Sequence, residues 1–309
     1  HVKEGEIKKA RLYGCGLGLA DVFLNGEKTD RDYYEPWDSD YRKTVYYKTW
    51  SLDGKLRPGE NVLGFWLGNG QYRNYEEVCT LPARYQKTDG WREKDSGFYG
   101  DAKGIFQLEI WYGDGSVQRI VTDESWQYAA GPLVFSNWYG GEDYDGRLEI
   151  DGWCEPGCSY GNWQHAVEKQ PPAGRLTARN TPPIGIVEEL VPIAVWQIGS
   201  GRYIVDMGKN SAGFEKLILR DTTPDMAGRK IVIYPAETLG EDGGVDQYSC
   251  TQGDPGTICD TYWIRGKGAE EWKPRFCYHG FRYLEVEGFP GVPDRDSFRG
   301  YRLRVLNEQ

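Results

Sequence analysis

Glu142-Asp143-Tyr144-Asp145 puts three carboxyl groups within four positions, directly after Asn137-Trp138-Tyr139-Gly140-Gly141. Paired carboxyls are what glycoside hydrolysis uses, one protonated as general acid and one ionised. Neighbouring carboxylates at a glycine-rich strand end more often meet solvent, cations or backbone amides, so no catalytic residue is assigned here. A second chemistry fits the same composition. Aromatic faces cover the apolar CH surface of a pyranose, while carboxylates and amides exchange hydrogen bonds with its hydroxyls. Trp37-Asp38-Ser39-Asp40 and Gly68-Asn69-Gly70-Gln71-Tyr72 repeat that mixture. The expected carbohydrate-binding residues are therefore Trp37, Asn69, Tyr72, Asn137, Trp138, Glu142 and Asp143, on loops, and all of them but Asn137 are expected to share one rim with Asp38 and Asp40. Asp38 and Asp40 are hard oxygen donors that could hold calcium, the one cofactor these residues invite. Packing and capping of a β scaffold accounts for the same residues equally well.

Other chemistries have less to stand on. The three histidines are His1, His165 and His279, too few to build several nucleophile-histidine arrangements. His279 sits in the aromatic run Phe276-Cys-Tyr-His-Gly-Phe-Arg-Tyr283, which favours a structural imidazole. The cysteines at 15, 79, 154, 158, 250, 259 and 277 are odd in number and irregular in spacing, so a disulfide framework is not expected. Cys154 and Cys158 form the one close pair, but two thiols and so few imidazoles do not complete a thiolate zinc site. Gly14-Cys-Gly-Leu-Gly18 lacks the spacing and the following helix of a nucleotide-binding loop.

These residues need a scaffold, and composition indicates its type. The 309 residues include 41 Gly, 22 Tyr and 12 Trp but only 2 Met, which suits short strands and tight turns better than helices. A formal charge of -10 would repel phosphate backbones and anionic membrane surfaces, so a nucleic-acid partner is not expected. No apolar run reaches the ~18 residues of a membrane span. Unpaired cysteines suit a reducing cytoplasm, whereas glycan degraders are often exported, so the compartment stays open.

Strand signals recur along the chain. Ala20 to Leu24 runs into Asn25-Gly26, a dipeptide that supplies the positive φ angles of a two-residue hairpin. Val45 to Trp50, Val62 to Leu67, Ile105 to Tyr112 and Val117 to Val121 are further strands. Pro171, Pro172 and Gly174 mark a linker. Beyond it, strands are expected at Val187 to Ile198, Gly201 to Asp206, Gly213 to Leu219, Arg229 to Pro235, Asp260 to Ile264, Glu271 to Phe276 and Phe281 to Val286. The fold class is all-β: two antiparallel β-sandwiches in tandem, of jelly-roll, galactose-binding-like type. Residues 1–170 form the first domain, 171–184 the linker and 185–309 the second.

Trp272-Lys-Pro-Arg-Phe-Cys-Tyr-His-Gly-Phe-Arg-Tyr-Leu-Glu-Val-Glu-Gly288, Asp206-Met-Gly-Lys-Asn-Ser-Ala-Gly213 and Asp260-Thr-Tyr-Trp263 resemble the β-sandwich that precedes the catalytic domain of bacterial α-L-rhamnosidases, glycoside hydrolase family 78. Leu24-Asn25-Gly26, Pro58 to Gly64, Gly68-Asn69-Gly70 and Tyr139 to Asp145 are similar to segments of the family's amino-terminal jelly roll. The resemblance implies a concanavalin-like second sandwich and accessory β-domains of an inverting enzyme. It also implies an (α/α)6 catalytic domain as partner in the same polypeptide, for which nothing here has the helical periodicity. Phe298 to Leu306 reads as a strand heading towards that further domain. Some family members bind L-rhamnose through calcium on a jelly-roll module; this chain departs from the family pattern at Gln71, Gly140 and Gly146. The alternative is a free-standing carbohydrate-binding protein.

Overall fold

The computed structural model describes residues 1–73, 99–138, 140–248, 250 and 258–307. Among them the chain is all-β, and its helical content is three single 3-10 turns at Gly146–Leu148, Pro224–Met226 and Arg295–Ser297. It divides into two compact units.

Unit 1 comprises His1–Arg73, Phe98–Ala130 and Ile150–Pro182. A five-stranded sheet runs in the order Arg175–Ala178, Thr44–Ser51, Ile7–Leu17, Lys103–Tyr112, Val117–Val121. A three-stranded sheet is ordered Glu27–Lys28, Leu19–Leu24, Leu63–Gly68. Strand Lys103–Tyr112 buries every second residue from Phe106 to Tyr112, the two-residue period of a strand with one face on a core. Ala10, Leu12, Trp50, Leu108 and Ile110 from the larger sheet pack with Ala20, Val22 and Leu24 from the smaller, the arrangement of a sandwich. The hairpin at Asn25-Gly26 is as expected: φ is 52° and 89°, the double positive φ that only a few residue types adopt cheaply.

The expected linker contains a strand. Arg175–Ala178 pairs with Thr44–Ser51 in parallel register, Arg175 opposite Thr44. Composition alone does not reveal such pairing, because its partner lies about 130 residues away in sequence.

Among the described residues, unit 2 is built from Gly131–Glu149 and Pro183–Gln309. Its ten-stranded sheet follows the path Ile184–Leu190, Phe298–Val305, Arg202–Thr222, His279–Glu287, Lys230–Ala236, Asp260–Trp263, Gly141–Asp145, Leu133–Asn137. Ala194–Gly199 and Gly268–Trp272 also pair with Arg202–Thr222. That 21-residue strand changes partners along its length, and the curled sheet closes over one core that includes Val205, Leu217, Ile231, Tyr262, Phe281, Leu284 and Phe298. Pro192, which has no N–H to donate, lies between Ile184–Leu190 and Ala194–Gly199, where a single strand is expected from sequence. The strand expected to reach Phe276 ends at Trp272, just before Pro274.

Candidate functional site

The nine residues expected to bind sugar or calcium belong to two units. Unit 1 holds Trp37, Asp38, Asp40, Asn69 and Tyr72, whereas unit 2 holds Asn137, Trp138, Glu142 and Asp143. In unit 1, Trp37, Asp38 and Asn69 are half-buried, and burial raises the carboxyl pKa of Asp38. Asp40 is already engaged. Its Oδ1 accepts from Arg42 Nε at 3.0 Å and its Oδ2 faces Lys43 Nζ at 3.3 Å, which holds its pKa down at about 2. Calcium would have to displace both cations. Tyr72 is not on a rim at all: it is fully buried, its ring 5.0 Å from Tyr41 and 5.8 Å from Tyr99, and its hydroxyl donates to the Tyr99 carbonyl at 3.2 Å. Apolar packing decides its position, since a tyrosine can bury its ring while its hydroxyl finds a backbone acceptor.

In unit 2 the correction is larger. Glu142 and Asp143 lie inside strand Gly141–Asp145, which is paired on both sides, and both are buried. Trp138 is buried edge-on against Tyr278, with ring centroids 5.6 Å apart. Asn137 is half-buried, and its Oδ1 accepts from the Gly140 N–H at 2.8 Å, closing the turn. Tyr139 lies outside the described residues, as does Cys79. Glu142 accepts the backbone N–H groups of Arg275 at 2.8 Å and Phe276 at 2.6 Å. Burial nonetheless pushes its carboxyl up to about 8, against the pull of those two donors.

Four further groups that sequence inspection did not assemble, Asp260, His279, Cys277 and Glu215, lie in the same buried region. Asp260 accepts the Glu142 N–H on Oδ1 at 2.7 Å, and His279 Nε2 lies 2.7 Å from its Oδ2. Cys277 Sγ is 3.6 Å from Asp260 Oδ1 and 3.8 Å from His279 Nε2. Glu215, from the long strand Arg202–Thr222, is fully buried, and its carboxyl is hydrogen-bonded to that of Asp260. Burial, followed by the negative charge of Asp260, raises the Glu215 pKa well above its ordinary value. At Asp260 burial acts upward too, but the nearby His279 outweighs it and the net shift is downward. Among the described residues, Asp260, Cys277 and His279 are the one trio of acidic, thiol or imidazole donors placed to share a metal ion. The available signal was a charged residue, Asp260 or Glu215, inside a segment read as a buried strand.

The motif segments also meet. Asp206 stands opposite Tyr283 in the sheet, and Arg282 grips the Asp206 carboxylate through Nε and Nη2, each at 2.9 Å. Among the described residues, Glu142, Asp143, Glu215 and Asp260 are all buried.

Comparison with known proteins agrees with this architecture. Residues 5–188 match the α-L-rhamnosidase N-terminal domain, and residues 196–304 match the bacterial α-L-rhamnosidase concanavalin-like domain. An α-L-rhamnosidase of Formosa agariphila is 33% identical over 95% of the chain and 30% of the relative's length. One of Streptomyces avermitilis is also 33% identical, over 96% of the chain and 27% of the relative. Among solved structures, the α-L-rhamnosidase of Dictyoglumus thermophilum superimposes with a TM-score of 0.86 at 35% identity, covering 99% of this chain and 32% of that one. The Streptomyces avermitilis enzyme in complex with L-rhamnose gives 0.85 at 30% identity, over 99% of this chain and 28% of that one. The chain thus spans about 30% of the length of the curated relatives it matches.

Proposed function

The chain belongs to the bacterial α-L-rhamnosidase family, and from that premise we propose that it forms non-catalytic β-domains of such an enzyme, supporting a catalytic domain that hydrolyses terminal α-L-rhamnosyl linkages. The burial of Glu142 carries this reading. A general acid or base must touch the glycosidic oxygen or the attacking water. Glu142 is fully buried and faces the backbone of Arg275 and Phe276, while Asp143 beside it is buried in the same strand. The carboxyl cluster therefore serves the fold, and hydrolysis belongs to a separate domain.

Weak binding of L-rhamnose or a related neutral sugar is a second element of the proposal, centred on unit 1. Trp37, Asp38 and Asn69 remain partly exposed there, and the Streptomyces avermitilis relative was solved with L-rhamnose.

The 309-residue chain is assayed with p-nitrophenyl α-L-rhamnoside from acid to alkaline pH. No turnover is expected. Turnover that disappears in Glu142→Gln or Asp143→Asn would overturn the proposal and make this chain a hydrolase in its own right.

A further inference from the structure

We propose that the outer face of the five-stranded sheet in unit 1 binds an extended neutral oligosaccharide, laid across the strands over Arg11 and Glu109. This site rests on the sugar-processing role proposed above, and it is built on strands rather than on the loops that carry Trp37, Asp38 and Asn69.

Alternate residues of Ile7–Leu17 point to opposite faces. Ala10 and Leu12 enter the core of the sandwich, so Arg11 and Tyr13 face away from it. The strand register sets what stands beside them. Ser51, Arg11, Glu109 and Arg119 form one row across four strands, and Thr49, Tyr13, Gln107 and Val121 form the next. On the other side of the first row, Trp111 stands between Lys9 and Val117. At ~4.8 Å between strands, a row of four is about 14 Å long, which seats a chain of sugar rings rather than one.

The first row is a fixed polar ladder. Arg11 Nη1 donates to Ser51 Oγ at 3.0 Å and to Asp53 Oδ2 at 2.6 Å. Glu109 Oε1 accepts from Arg119 Nε at 2.9 Å and from Gln107 Nε2 at 3.0 Å. Groups already held in place lose little freedom when they meet hydroxyls. Aromatic rings flank the ladder: Tyr13 stands edge-on to Tyr47 with centroids 6.4 Å apart, and Lys9 Nζ lies 5.0 Å from the Trp111 ring centre. The face is open to solvent, with the Arg119 side chain 61% exposed and Val117 and Val121 each 44% exposed.

Charge and polarity select the occupant. Arg11 is matched by Asp53 and Arg119 by Glu109, so within a chain of net charge -10 the ladder is balanced and offers a charged partner little to complement. The centre of a protein interface is depleted in charged residues, because a protein partner strips off their water. Saccharide hydroxyls replace that water hydrogen bond for hydrogen bond, while the CH faces of the sugar cover rings and valines.

The test uses the 309-residue chain with a neutral α-linked L-rhamnose tetrasaccharide, L-rhamnose itself and a galacturonic acid tetrasaccharide. Hydroxyl-radical footprinting read by mass spectrometry should show the neutral tetrasaccharide protecting Tyr13 and Trp111 from oxidation. In calorimetry it should bind about tenfold tighter than L-rhamnose, and tighter than the acidic tetrasaccharide. Tyr13→Ala and Arg119→Ala should each weaken it about tenfold. Protection of Trp37 alone would overturn the sheet-face site and leave sugar binding at the loops standing. Protection of Tyr13 and Trp111 without Trp37 would establish the sheet face and remove the loop site, and no protection at all would remove both. Equal or tighter binding of the acidic probe, or a dimer in sedimentation velocity that Arg119→Ala abolishes, would overturn a neutral glycan as the occupant. If Tyr13→Ala does not fold, the wild-type footprint and the exposed Arg119→Ala decide the matter.

Discussion

Arg282 holds Asp206 in a two-pronged ion pair, Nε to Oδ1 and Nη2 to Oδ2, both at 2.9 Å, across 76 residues of sequence. The planar guanidinium matches the carboxylate in a way a lysine ammonium cannot. Asp206 Oδ1 also accepts the Gly208 N–H at 2.6 Å, so one carboxylate ties the neighbouring strand to the stretch where the pairing register shifts, between Asp206 and Ser211.

This pair makes part of the stability pH-dependent. Burial tends to raise the Asp206 pKa, but Arg282 and the Gly208 N–H outweigh it and the net shift is downward. A carboxylate depressed in the folded state contributes stability that is complete above its unfolded pKa near 4 and is lost as pH falls through the lower folded value. Asp206→Asn should therefore lower the urea midpoint at pH 7, and the gap to wild type should close as pH drops from 5 towards 3. A gap that stays constant or widens over that range would show that the ion pair is not its source. Arg282→Lys should lose less than Asp206→Asn, since it keeps the charge and drops one of two hydrogen bonds.

Glu142 offers a larger effect at neutral pH. Glu142→Ala removes the acceptor for two backbone N–H groups, those of Arg275 and Phe276. At ~1–3 kcal/mol for each buried unsatisfied group, the loss should be about 2–6 kcal/mol. Urea unfolding followed by tryptophan fluorescence measures it. Glu142→Gln retains a carbonyl oxygen and should lie between the two; equality of Ala with wild type would remove the structural role assigned to this carboxyl.

Backbone crowding separates two glycines. A Cβ on Gly213 would lie 1.8 Å from the Tyr301 carbonyl oxygen, where adjacent strands press together. On Gly54, at φ +69°, a Cβ would meet nothing within 4 Å. Gly54→Ala should cost only the left-handed backbone strain, about 1–2 kcal/mol. Gly213→Ala has to move a strand as well and should cost about 3 kcal/mol or more, or yield insoluble protein. Thermal melts of the two variants compare them directly.

Sugar binding is checked by calorimetric titration of L-rhamnose in calcium and again in EDTA. A single exposed monosaccharide site buries few atoms, so the dissociation constant should fall on the order of tens of micromolar to millimolar. Trp37→Ala should abolish the heat. Because Asp40 is paired with Arg42 and Lys43, the signal should change little on chelation. Absence of heat in both buffers would leave Trp37, Asp38 and Asn69 a purely supporting role.

The sequence by itself determined the all-β class, the Asn25-Gly26 hairpin and the family, because these depend on local turn chemistry, two-residue alternation and motif spacing. Pro192 and Pro274 lie where expected strands stop, a limit that is local and readable in retrospect. What the tertiary structure decided depends on pairing between distant segments. Gly131–Glu149 joined unit 2 because Asp143 to Asp145 pairs in parallel with Thr261 to Trp263, more than a hundred residues later. That pairing buried Glu142, whose sequence context of glycines and aromatics had suggested a loop. Asp260, Cys277 and Glu215 converged by the same route. Sequence spacing sets which face of a strand a side chain occupies, but only the order of strands in the sheet determines which faces meet.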